Sequence, residues 1–509
     1  MGRDTSSQKK RSLLARTNKL SGNKAPQEPV EKLLETIIED VIKAAAMSFE
    51  DWSALSQFPL IPLAIPIGSG REYRVTQAGV DAAHKLTERT WRARGDFRQT
   101  ISRAEFDKLS FTAIGKTILN CGSHLPSDAK DREAASPDQA FYVALAGDYA
   151  VNLDRLAASA RPDVDRHIPC QLFHSDQGVA SFSVGPVEFF PRADWLIRYV
   201  KDPASLNHIQ QVESGAVTAD EFRRRALAPG RGEDLRTAWS VLSSLRNFGW
   251  VATIRMSGHE LRQSHHKASI IIGLAVDAVG LRFHVEDAWR FTKAGRQHLY
   301  FENRLATSPE GALLGGSSVQ MPGLGGKPGA LAAKMAAERP FLDAAGKVLD
   351  AYVKGRQTGR AAHLVERWAN ALYWVGEARR EASDFMAVVD YGCAADGLSG
   401  AGGDAAEMTA FAEAALNPQG LPTPPGSRSI ADAVTTVYRE GRNKLAHGET
   451  AGLLEDLSEA RAIGDALLAN LFDRVTLELA EVITNRPQIL TLDEKHAYRA
   501  FEARLRQRT

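Results

Sequence analysis

"SIADAVTTVYREGRNKLAHGE", residues 429–449, decides how the second half of this chain reads. Ile430, Val434, Val437, Gly441 and Leu445 recur at helical spacing as one stripe, with Tyr438 at its margin. Ser429 suits an N-cap and Gly448 a C-cap, so the spacing predicts a helix over 429–447. At about 100° per residue, Arg442 falls at the edge of the stripe, while Asn443 and His447 lie one turn apart on the outward side. A solvated helix end favours Lys, Glu and Gln, and a buried one favours Leu and Ala. Arginine, asparagine and histidine beside a stop signal ask for another reason.

The neighbouring segments are helical too. Residues 363–380 place Leu364, Trp368, Leu372 and Val375 on one face, and 383–400 do the same with Phe385, Val388, Gly392 and Ala395. A Gly/Pro-rich interruption fills 417–427, and 453–483 reads as a long helix. Short connections favour antiparallel neighbours, so 345–485 is expected to be a helical bundle, with 486–509 as a C-terminal tail or helix. Ahead of it, "GALLGGSSVQMPGLGGKPGA" (311–330) has the composition of a loop, and 316–344 read as linker plus connecting helix. Its "GGK" is not a phosphate loop: no glycine precedes Gly326 at the required spacing, and Pro328 stands where Ser or Thr would hold magnesium.

Residues 30–46 have helical periodicity, 179–190 and 248–256 are rich in β-branched and aromatic residues, and 257–283 predict a long helix with a Gly stop. Residues 28–315 are therefore expected to be an α+β region that senses a signal or restrains the C-terminal bundle. Residues 1–27 are polar and basic, with the composition of a disordered tail. The expected fold class is an α+β N-terminal region followed by an all-α C-terminal bundle.

Bulk composition narrows the function. With 509 residues, 44% hydrophobic and 25% charged, the chain has material for two to four domains, and a net charge of +1 argues against a constitutively nucleic-acid-coated protein. Three scattered cysteines suit a reducing cytoplasm rather than a disulfide framework. Residues 58–68 are broken by three prolines and 268–281 carry Asp277, so no membrane span is expected. The opening "MGRDTS" fits a myristoylation pattern by chance, and no apolar signal core follows it.

Arg-x4-His is a common spacing. Arg161-x5-His167 is interrupted by Pro162, and Arg356-x6-His363 falls at a helix start; only Arg442 and His447 share an amphipathic helix with a polar residue after the arginine. His447 in a last turn sits at the negative end of the helix dipole, which favours the imidazolium. Arginine offers a permanent planar fork for a phosphodiester. Asp396, beside the apolar stripe of 383–400, needs a partner if buried, and Arg442 is the expected one. Lys444 and Arg439 add positive charge that a phosphate backbone would meet. Cys121, His124, His167, Cys170 and His174 leave a metal site open, without matching a common zinc spacing.

The bundle, "YGCAADGLSG" (391–400) and "YREGRNKLAHGE" (438–449) resemble the HEPN superfamily (higher eukaryotes and prokaryotes nucleotide-binding), most nearly its Apea-like branch of bacterial antiphage and abortive-infection proteins. The resemblance covers 345–485. It implies a cytoplasmic, metal-independent endoribonuclease without a cofactor, whose site forms when two such domains meet in a homodimer or higher homo-oligomer. It also implies an unspecified trigger, with a phage component as the candidate. By the same resemblance Arg442 binds phosphate, His447 acts as acid and base, and Asn443 is the polar residue after the arginine. Asp396 stands where the family has glutamate. Glu449 replaces the tyrosine that marks members silenced by AMP transfer. The alternative is a non-catalytic RNA- or nucleotide-binding or dimerisation scaffold.

Overall fold

The structure, a computed structural model, describes residues 28–48, 63–121, 139–296, 300–320, 322–358, 362–421, 427–447 and 455–507. The chain divides into two compact units, one reaching residue 162 and also including 258–263, the other holding 163–257 and 264–509. The basic tail expected at 1–27 lies outside the described residues.

In the first unit, α1 (Val30–Ala45) turns Leu33, Leu34, Ile37, Ile38 and Val41 inward, the spacing of an amphipathic helix. An antiparallel hairpin of β1 (Ala64–Gly68) and β2 (Arg71–Arg74) comes next. The helices α2 (Gln77–Ala93), α3 (Gly95–Thr100), α4 (Arg103–Asn120) and α5 (Gln139–Ser159) complete the unit. Thr76 caps α2 and donates from its N–H and Oγ1 to the buried Asp40, at 2.6 and 2.5 Å, which satisfies that carboxylate. This hairpin is the unit's only sheet among the described residues. The α+β character expected for 28–315 therefore belongs to its second half.

The second unit opens with β3 (Val164–Gln171). The strand expected over 179–190 is two strands, β4 (Phe182–Val184) and β5 (Val187–Pro191), paired antiparallel. Four short helices, α6 (Arg192–Tyr199), α7 (Pro203–Glu213), α8 (Ala219–Leu227) and α9 (Glu233–Ser244), enclose a small core around Phe190, Trp195, Ile209 and Phe222. With β6 (Trp250–Met256) and β7 (Thr292–Lys293) the antiparallel sheet has the order β4-β5-β6-β3-β7. In α10 (Leu261–Gly280) every residue from Ile271 onward is buried, which makes it a core helix rather than a surface one.

The expected linker and connecting helix of 316–344 hold only in part: 322–329 lack helix and strand and a short helix follows, but the stretch before them is strand. β8 (Tyr300–Thr307) and β9 (Leu313–Gln320) form a regular antiparallel hairpin through 313–320. Gly315, Gly316, Ser317 and Ser318 read as loop because none favours a strand, and cross-strand pairing supplies the backbone partners instead. Next come α11 (Ala330–Ala337), α12 (Arg339–Thr358), α13 (His363–Arg380), α14 (Asp384–Ser399) and α15 (Ala405–Leu416). The helix α16 is composite: α-helical over Ile430–Val434, π-helical over Thr435–Asn443, α-helical over Lys444–His447. Finally α17 (Ser458–Asn485) and α18 (Glu494–Gln507) pack, the latter burying Ala497, Tyr498, Phe501 and Leu505. Residues 486–509, expected as a tail or helix beyond the bundle, thus include a helix of the bundle's own core.

One continuous apolar core runs from Ile168 in the sheet to Leu505 in α18. Gly185, at φ +58° in the β4–β5 turn, lies so close to Gly346 of α12 that a Cβ on either would overlap the other's backbone. Buried charge also joins the parts. Arg379 of α13 forks onto Asp465 of α17, at 2.6 and 3.0 Å, and its Nη1 donates to the α10 carbonyl of Gly280 at 2.9 Å. Asp277 of α10, fully buried, takes Arg296 at 3.0 Å and Arg380, and packs where Gly376 of α13 leaves room. The sheet and the helical C-terminal part are therefore one body. No helix among the described residues is long and apolar enough to cross a membrane.

Candidate active site

Ser429 caps α16 as expected, its side chain accepting the Asp432 N–H at 3.0 Å. Val434, Val437, Gly441 and Leu445 are buried, as the apolar stripe requires. Beyond Val434 the helix widens to π geometry. Hydrogen bonds that span five residues instead of four turn the chain less per residue, so directions drift from those of an α-helical wheel over this stretch, although Val437, Gly441 and Leu445 stay on the buried face. Tyr438, read at the stripe's margin, is 2% exposed.

Arg442 and Asn443 were expected on different sides of the helix, yet they meet. Arg442 Nη1 donates to Asn443 Oδ1 at 3.0 Å and to Tyr438 Oη at 3.2 Å. Two glycines allow α14 and α16 to approach closely. A Cβ on Gly392 would overlap the Arg442 Cβ and lie 2.9 Å from its Cγ, and one on Gly441 would overlap Val388. The Arg442 stem thus lies across Gly392, and its head emerges half-buried.

The expected ion pair between Asp396 and Arg442 does not form. Asp396, half-buried, accepts the Gly403 N–H on Oδ1 at 2.8 Å. The loop after α14 turns back through left-handed Gly400, Gly402 and Gly403, which brings that amide to the carboxylate; aspartate is also a methylene short of glutamate. Its charge still acts at a distance. Burial, then the Asp396 charge, push the Tyr438 phenol above its ordinary pKa. Burial opposes the Arg442 charge, but the Cys393 thiol, Tyr438 and Asp396 favour it, and the balance lies above the ordinary arginine value.

Arg439 is exposed and Lys444 half-buried. His447 closes the last helical turn, as expected; its side chain, Gly448 and Glu449 lie outside the described residues. Tyr438, Cys393 and Gly403 are the members of the site that sequence reasoning did not assign. The one available signal was Tyr438 standing a helical turn before Arg442.

The other candidates lie elsewhere. Cys121 caps α4 and donates its thiol to Thr117 O at 3.0 Å. His167 on β3 sits against Thr253 Oγ1 at 2.9 Å and takes the Trp195 indole N–H at 3.1 Å; burial holds its pKa below the usual histidine range. Cys170 is fully buried, His174 is exposed, and His124 lies outside the described residues. No cluster of three or more His, Cys, Asp or Glu that could hold a metal occurs among the described residues.

No protein-family model, curated protein or solved structure matches this chain. The chemistry of the site lies in its own atoms. It offers a guanidinium held by two acceptors, an amide beside it, and a helix end carrying a histidine.

Proposed function

We propose that this chain is a metal-independent endoribonuclease of HEPN type, acting in the cytoplasm in antiphage defence, with a composite site made by two paired C-terminal bundles. The observation that carries the reading is the meeting of Arg442 and Asn443 one turn before His447, with the arginine oriented by Tyr438 and Asn443. An RNA substrate supplies its own nucleophile. Removal of the ribose 2′-OH proton lets that oxygen attack the adjacent phosphorus; the 5′-oxygen leaves with a proton, and a 2′,3′-cyclic phosphate remains. His447 transfers the protons, and Arg442 stabilises the charge growing on the phosphoryl oxygens. Arg439 and Lys444 hold the strand electrostatically.

The test is cleavage of a mixed RNA pool in excess EDTA by wild type, Arg442→Ala and His447→Ala, with light scattering to establish the oligomer. EDTA-resistant cutting that both variants lose while staying folded supports the reading. Equal cutting by all three overturns it. RNA binding without cutting, under every trigger tried, favours the scaffold.

A further inference from the structure

The two acceptors on Arg442 share one nitrogen. Nη1, which has two hydrogens to give, donates to Tyr438 Oη at 3.2 Å and to Asn443 Oδ1 at 3.0 Å, and the Cys393 thiol of α14 also favours the charge. No oxygen among the described residues accepts from Nε or Nη2. That edge presents two parallel N–H groups, a geometry with which arginine grips two oxygens of a phosphate at once.

We propose that Tyr438 is the positioning residue of the site: by occupying Nη1 from beneath, it turns the Nε/Nη2 edge of Arg442 toward the phosphodiester of the RNA. The assignment rests on the ribonuclease reading. Three features keep Tyr438 fixed. Its ring is buried, the Arg442 guanidinium lies 5.4 Å from the ring centre, and Gly403 stands against its hydroxyl, where an added Cβ would come within 3.2 Å. Gly403 is in turn held by Asp396. The carboxylate that does not reach Arg442 directly thus reaches it through a loop and a phenol. The π-helical turn completes the arrangement, because it sets residues 438, 442 and 443 on one side of the helix.

The experiment uses the full-length protein and an RNA oligomer with 2′-O-methyl riboses, which cannot be cut. Affinity is read by fluorescence anisotropy in EDTA for wild type, Tyr438→Phe, Arg442→Ala and the double variant, with a thermal melt for each. Arg442→Ala is expected to weaken binding about tenfold or more, and Tyr438→Phe by about three- to tenfold, the net worth of one ordinary hydrogen bond. In the Arg442→Ala background, Tyr438→Phe is expected to add nothing. Asn443→Ala, which removes the other acceptor, should show the same pattern and serves if Tyr438→Phe melts early. Unchanged affinity in Tyr438→Phe, or an equal loss in both backgrounds, overturns the positioning role while leaving the site. Unchanged affinity in Arg442→Ala overturns the site reading itself, and the positioning role with it.

Discussion

Replacing Gly392 with alanine probes the approach on which the site depends. The added methyl would overlap the Arg442 Cβ, lie 2.9 Å from its Cγ and lie 3.3 Å from the Val437 carbonyl oxygen. Comfortable carbon–carbon separation is about 3.5–4.0 Å, so α16 must retreat from α14 by roughly 1 Å. Two of the three obstructing atoms belong to the root of a side chain and the third to backbone, so rotamer change alone gives little relief. Overpacking of this kind costs about 1–3 kcal/mol. At about 2–4 °C per kcal/mol for a unit of some hundreds of residues, the melt should fall by several degrees. A shift of about 1 Å at a charge-stabilising group costs on the order of a hundredfold in rate, so RNA cleavage should fall further than stability does. The assay pairs a thermal melt with EDTA-resistant cleavage under conditions where wild type cuts. Gly147→Ala is the control: its Cβ would meet nothing within 4 Å, and alanine in an exposed helix should stabilise by up to about 1 kcal/mol. If Gly392→Ala melts and cuts like wild type, the close approach has been misread.

Other outcomes stem from buried charge and from RNA electrostatics. Arg379→Met leaves Asp465 without its forked partner and should destabilise by about 3–5 kcal/mol in a urea melt. Asp390, buried near Glu381 and Glu377, has its carboxyl pushed up to about 6, first by burial and then by those charges. Against an unfolded value of about 3.9, its ionised form opposes folding by up to about 3 kcal/mol. The group is protonated in both states well below pH 4 and opposes nothing there. As pH rises from about 4 through 6, the folded chain must give up a proton it holds more tightly than the unfolded chain does, so stability falls. Asp390→Asn should therefore melt higher than wild type at pH 7.5, with the gain gone near pH 4; a pH-independent difference would refute this. Exposed Arg439, changed to alanine, should weaken single-stranded RNA binding at low salt and reduce the slope of log affinity against log salt by about 0.7.

The helical C-terminal part was legible because periodicity and punctuation agreed there. His363–Arg380 has the bounds its stripe predicted, and Ser383, Ser429 and Gly400 stop or start helices as their chemistry requires. What could not be read depended on partners distant in sequence. The strand at Leu313–Gln320 needs Tyr300–Thr307 to pair with, and its own Gly and Ser residues deny it. The union of sheet and bundle rests on facing surfaces such as Gly185 against Gly346. At the candidate site, residue types and spacing singled out Arg442 and Asn443, but the hydrogen bonds that join them to each other and to Tyr438, within a π-helical stretch, are not visible on an α-helical wheel. The Asp396 pairing failed for a related reason: a glycine-rich turn brought a backbone amide nearer than the guanidinium.

The undivided core from Ile168 to Leu505 has a consequence for how this protein can be cut and recombined. A fragment starting at residue 345 would lose the sheet and α10, leaving α12 without the β4 strand it packs against and Arg379 without the Gly280 carbonyl. Such a fragment is a poor candidate for expression by itself. In a chimera, the transferable cassette is 163–257 together with 264–509, and the exchangeable unit is the stretch up to 162 with its inserted segment 258–263.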